Sequence, residues 1–505
     1  MKRRDFMATG AMALASPYLT GTAFAAAGGR ALPIPPLIDT GEAETSLLAQ
    51  YGQTAFLDGL QTPTWGYGQA YLGPTLRMTR GALSRMRIIN GLKFPITCHW
   101  HGLHVAGHLD GGPQGSIAPG ADWAPQLPID QPAATLWYHS HSHGVTSEQV
   151  YGGLAGMIQI EDPGATDSGL PSDYGVDDIP LILQDRAFTD EGAFHYVKQG
   201  PALMHGFRAD QIMVNGAIRP AASVPGGLVR LRLLNGSNAR IYHLSFDDAR
   251  VFHQVASDGG LLAAPVEMWT LSLAPAERAE IVVDFSDGAA VRLLSGPDMN
   301  DPMAGMMARM MGSIMGNGLP PSPPRADNAP KGVFEVMRFE PDSTRRTRHS
   351  TLPSTFAGAP SPDFGAPVRE REFTLNMHGG GGGGGMGMGM GMGGAMGMMN
   401  INGQAFDPNR IDVQMRRGET ELWRIKAPEM AHPFHIHGTQ FRVLSHNGVG
   451  VNQATTGLKD VVVVNGEAEV LVQVNTTADA NRPYMFHCHI LEHEDAGMMG
   501  QFTVT

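Results

Sequence analysis

The chain has 505 residues, with 36 lysines and arginines against 48 aspartates and glutamates, for a net charge of −12. That balance repels nucleic acid and anionic membranes, so both are set aside as partners, and it is compatible with attracting metal cations. At about 100–200 residues per domain the chain exceeds one ordinary core. Its 65 glycines and 36 prolines, with 17% charged residues, predict short strands joined by many turns and hence an all-β protein.

The chain opens on Met1-Lys2-Arg3-Arg4-Asp5-Phe6-Met7, an apolar run from Ala8 to Leu19, and the small residues Thr22-Ala23-Phe24-Ala25-Ala26. This order reads as a twin-arginine signal over residues 1–27, cut near Ala25, rather than a basic terminus feeding a short helix. The expectation is a periplasmic protein delivered by the twin-arginine export machinery. No later segment has the roughly 18 uninterrupted apolar residues of a membrane helix.

Three segments share a strand, a turn-rich stretch and a second, histidine-bearing strand: Met86–Asn90 leading to His99, Leu231–Asn235 leading to His243, and Leu422–Ile425 leading to His432 and His435. A repeat of this size suits three consecutive β-sandwiches. We expect the first over residues 28–165, a second over 170–316, the end of that domain with a proline-rich linker over 317–368, and a third over 369–505. The middle copy has one histidine where the others have clusters, so it is expected to hold no metal. Gly318–Pro324 and Thr351–Ser354 read as linkers. Residues 379–399, Gly379–Gly385 followed by Met386 to Met399, read as an insert between two strand-like segments of the third domain.

Only two cysteines occur, Cys98 and Cys488. In an oxidising compartment a pair suggests a disulfide, but Cys488 sits between His487 and His489, as a metal thiolate would. Cys98 reads as a small buried thiol.

Four histidine clusters carry the chemistry: His99-Trp100-His101; His139-Ser140-His141-Ser142-His143; His432-Pro433-Phe434-His435-Ile436-His437; and His487-Cys488-His489, followed by His493 and Met498. Residues two apart on a strand share a face and neighbours oppose, so His487 and His489 would face one side and Cys488 the other. Two histidines, one cysteine and a weak axial methionine are the donor set of a blue copper site; Cys488, His493 and Met498 lie close in sequence, and His432 can complete the set. Structural zinc would need fewer histidines and more local Cys/His pairing. A lone His-x-His pair is more often structural, but four clusters beside Cys488 are not explained that way.

These residues, with Asp110-Gly111-Gly112-Pro113-Gln114-Gly115, His432 to Gln440 and His487 to Met499, closely resemble the three-domain multicopper oxidases, above all the bacterial copper-efflux oxidases (CueO-like). The resemblance covers nearly the whole exported chain. It implies three cupredoxin-like Greek-key sandwiches and four copper ions: one type 1, one type 2 and a type 3 pair. By position it implies that His432, Cys488 and His493, with Met498 axial, hold the electron-receiving copper. It gives the lone copper of a trinuclear centre to His99 and His435, and the coupled pair to His101, His139, His141, His437, His487 and His489. His143 falls outside that set. Domains one and three would then pack around the trinuclear centre. Asp110 and Glu494 match the family's proton-relay carboxylates, the alternative being groups that only orient histidines.

Met299, Met303, Met306, Met307, Met310, Met311 and Met315 recur at helical steps, which ordinarily means core packing. Gly305 and Gly312 interrupt the run, few other apolar residues accompany it, and a second methionine tract follows at Met386 to Met399. Soft thioethers select copper(I), so these tracts read as a surface that collects cuprous ions. The resemblance adds Met430 to Met303, Met306 and Met307 as possible ligands of a substrate copper; Pro428 and Gly305 stand where the family has carboxylates, with Glu429 and Asp301 as substitutes. The expected activity is oxidation of copper(I) coupled to reduction of dioxygen to water, in copper detoxification, by a monomer. The alternatives are a laccase-like phenol oxidase and a non-catalytic copper storage or carrier protein.

Overall fold

Alternation builds the strand Leu83–Asn90, where Ser84, Met86, Ile88 and Asn90 are buried and the residues between them are not. The corresponding strand of the middle unit, Leu228–Asn235, is buried at every position. Its Val229, Leu231 and Leu233 enter the middle core, while Arg230 and Arg232 on the other face pair with Glu280 and Asp178. Arg232 also donates to Thr135 of the first unit at 3.0 Å. A face that would otherwise be solvated is thus covered by a neighbouring unit, and its charges are matched there.

The computed structural model describes residues 30–165, 168–298, 300, 332–377 and 399–505. The leader, the Gly318–Pro324 linker, Met303, Met306, Met307 and all of the second methionine tract except Met399 lie outside these residues. The chain is mostly strand, in three successive units, as expected for an all-β protein. The first pairs a five-stranded sheet, in which Ala134–His139 lies beside the edge strand His99–His101, with a second sheet built on Thr45–Thr54 and Leu83–Asn90. Between them pack Leu47, Ile88, Trp100, Leu136, Tyr138 and Ile158. The middle unit has an eight-stranded and a five-stranded sheet. Phe334–Arg346 belongs to the latter, pairing with Val291–Ser295, and Thr351–Ser354 forms no regular element.

The third unit is hydrogen-bonded into one ten-stranded sheet, because Thr420–Ile436 serves both of its layers. Its first half pairs with Arg369–Asn376, and its end pairs with Tyr484–Cys488. The two halves are separated by a register break between Ala427 and His432. The residues looped out include Pro428, which has no N–H to give to a ladder. Met399, grouped by sequence with the glycine-methionine insert, is fully buried in this unit's core; it is a packing residue and not part of an exposed thioether surface. Among the described residues no helix is long and apolar enough to cross a membrane.

Candidate metal centre

The register after the break places the chemistry. Phe434 pairs with Cys488 and His435 with His487, so His432, Phe434 and Cys488 share one face of the ladder while His435, His437 and His487 share the other. The face carrying Cys488 is completed by His493 of the short helix Leu491–Asp495. Cys488 Sγ lies 3.3 Å from His432 Nδ1 and 3.7 Å from His493 Nδ1, and those two nitrogens are 3.3 Å apart. Met498 is fully buried, and its carbonyl accepts the Cys488 N–H at 3.1 Å, which fixes the backbone of the axial candidate beside the thiol.

The opposite face meets the first unit. His141, His437 and His487 converge, with both His141 Nε2 and His437 Nε2 3.2 Å from His487 Nε2. A second triad is His101, His139 and His489, and a third group brings His99 and His435 beside His101. Among the described residues, every cluster of this kind that includes no carboxylate draws on the first and third units alone. His243 of the middle unit instead bonds Ser272 at 2.8 Å. His143 is exposed, its ring against Phe406, and joins no cluster.

The rings are oriented from behind. The Nδ1 atoms of His99, His139, His435 and His487 bond the carbonyls of Asp110, Ser140, Asp460 and Cys488 at 2.9, 2.8, 2.7 and 3.0 Å. This leaves Nε2 of His99, His139 and His435 buried and without a hydrogen-bond partner. His437 Nδ1 donates to the Asp110 carboxylate at 2.8 Å. Glu494 lies 3.4 Å from His141 Nδ1 and 3.2 Å from His487 Nδ1. Both carboxylates expected from sequence therefore sit directly behind histidines.

Burial holds His101, His139, His435, His437 and His489 well below the usual imidazole range, which favours their neutral, metal-donating form. It pushes His141 down to about 4, opposed by the Glu494 carboxylate, and His432 down to about 3. It pushes the Cys488 thiol up. Neutral nitrogens with unpartnered lone pairs, enclosed in a dry site with one thiol, are a poor arrangement for a bare core and a fitting one for soft or borderline transition metals. The donor set fits copper: N, N and S on one face, imidazoles only on the other.

Sequence reasoning missed Asp460 and Arg278. Asp460 lies 3.1 Å from His101 Nε2 and is gripped by Arg278 of the middle unit. No local pattern marks either residue, since their contact spans 182 positions. Of the methionines assigned to a substrate copper, Met430 alone is described. It sits in the looped-out segment, half-buried against the third core.

A fold of sandwiches with a cysteine-centred cluster back to back with imidazole clusters offers the donor set of a copper protein. Residues 48–165 and 388–505 match family models described as multicopper oxidase. The chain is 34% identical to the multicopper oxidase mco of Staphylococcus aureus, over 91% of this chain and 88% of that protein. It is 36% identical to the cell division protein FtsP of Edwardsiella tarda, over 100% of this chain and 99% of that protein. The solved structure of the laccase-like multi-copper oxidase CueO from Ochrobactrum sp. superposes with a TM-score of 0.81 at 38% identity, covering 94% of this chain and 100% of that one. The chain belongs to the multicopper oxidase family.

Proposed function

We propose that the protein is a periplasmic oxidase that takes electrons singly from copper(I) and passes them to dioxygen, as part of copper detoxification. The carrying observation is Cys488, whose sulfur belongs to one donor cluster while its sequence neighbours His487 and His489 belong to two others. Four copper ions in these clusters would supply reversible one-electron redox chemistry and the site of dioxygen reduction. His432, Cys488 and His493, with Met498 axial, would hold the receiving copper. His99 and His435 would hold the lone ion of the trinuclear centre, and the two triads its coupled pair.

The chain's own residues perform the rest. Cys488 links the two faces covalently, through one peptide unit on each side. Asp110 and Glu494, hydrogen-bonded or close to His437, His141 and His487, would accept protons and pass them to where reduction of dioxygen consumes them. Four cuprous ions, one dioxygen and four protons give four cupric ions and two waters. Met430, beside the His432 strand in the looped-out segment, offers a thioether to an arriving cuprous ion. The twin arginines of the leader support export by the twin-arginine machinery.

Several full-length relatives bear the name cell division protein FtsP, which raises a structural role as a second reading. The complete donor set favours turnover over such a role or over copper storage. Copper counting, the visible spectrum and oxygen uptake on the purified protein decide between them. About four coppers, an intense blue thiolate band and oxygen uptake driven by copper(I) support an oxidase. A copper-loaded protein that consumes no oxygen is a carrier, and one that prefers a bulky phenol over copper(I) is laccase-like.

A further inference from the structure

Most rings whose backing is described above are held through Nδ1, but His101 is reversed. Its Nε2 faces the Asp460 carboxylate at 3.1 Å, and its Nδ1 is buried and unpartnered. Which nitrogen of a histidine is free for a metal is set by the hydrogen bond that the other makes. The Asp460 side chain therefore selects the tautomer of His101. The Asp460 carbonyl also accepts the Nδ1–H of His435 at 2.7 Å. One residue thus orients two rings, stacked with centroids 3.7 Å apart, that belong to different copper positions in the proposed scheme.

Asp460 is held in turn from the middle unit. Arg278 forks onto its two carboxylate oxygens at 2.6 and 2.5 Å. Its remaining N–H groups reach the carbonyls of Thr135, Ala276 and Asp258 at 3.0, 3.0 and 3.1 Å. All five guanidinium donors are used, by groups from all three units, and neither side chain is exposed. The pair is packed against the residue after His101: a Cβ at Gly102 would lie 2.7 Å from Asp460 Oδ2 and 3.0 Å from Arg278. A planar fork defines both the position and the plane of a carboxylate, which a single ammonium cannot do.

We propose that the middle domain acts on the trinuclear centre through Arg278. The Arg278–Asp460 pair is a positioning device that sets the His101 tautomer and holds His101 and His435 in register across the junction of the domains. This rests on the copper scheme above.

The test uses full-length, copper-loaded protein with Arg278→Lys, which keeps the buried charge, and Asp460→Asn, which keeps the shape. Copper retention is read by chelator competition, the coupled pair by its near-ultraviolet band and its silence in electron paramagnetic resonance, and the Cys488 site by its blue band. Both variants should keep the blue band. They should hold trinuclear copper about 10–100-fold less tightly, with new paramagnetic copper from an uncoupled pair. Unchanged retention and coupling in both variants overturns the proposal, as does parallel loss of the blue band, which would mark a merely structural ion pair. If the unsubstituted protein shows no coupled pair at all, the copper scheme itself fails.

Discussion

Cys488 Sγ and His432 Nδ1 lie 3.3 Å apart although 56 residues separate them, and the ladder that joins their strands puts His435 and His487 on its other face. One strand pairing thus builds the donors of the receiving site and half of the imidazole face behind it. In the proposed scheme, electrons arriving at the sulfur would cross only the peptide units that flank it.

Asp110 ties two of the expected copper positions together, through its carboxylate to His437 and its carbonyl to His99. Asp110→Asn preserves the shape and removes the acid. Oxygen uptake under saturating reductant should fall about 10²-fold, with copper content and blue band retained. Unchanged uptake would reduce Asp110 to an orienting group.

The copper-free protein should be acid-sensitive. Burial lowers His104 to about 4, as it does His141. In the unfolded chain these rings titrate near about 6.5. Stability is therefore fully present above that value and is lost as pH falls toward the folded pKa, because the unfolded state takes up protons that the folded state refuses. His104 alone would contribute about 3 kcal/mol to the loss. Calorimetry of apoprotein should show Tm falling steeply from about pH 6.5 downward; a flat profile to about pH 4 would contradict these shifts.

Met399→Ala should cost about 2–5 kcal/mol in denaturant unfolding, the range for emptying a closed core site. A loss below about 1 kcal/mol would contradict its role as a packing residue.

Much of the centre was legible in the sequence because its donors come as local pairs on strands, where a period of two settles which side chains meet. His487-Cys488-His489 needed nothing else. The offset of His432 was also legible, since it lies an odd number of positions from His435 and His437, which puts it on the other face of the strand. Arg278 and Asp460 were not, because an isolated arginine and an isolated aspartate carry no periodic signal and meet only once three units have docked. Met399 was misassigned because composition groups it with the tract before it, whereas burial is decided by the strand Asn400–Ile401 that follows.

The central claim is electron passage through position 488. It is tested most directly by oxygen uptake of Cys488→Ser with the imidazole clusters fully loaded with copper and copper(I) as reductant. Uptake should collapse to the uncatalysed background while the coupled-pair signals survive. Uptake equal to that of the unsubstituted protein would contradict the account.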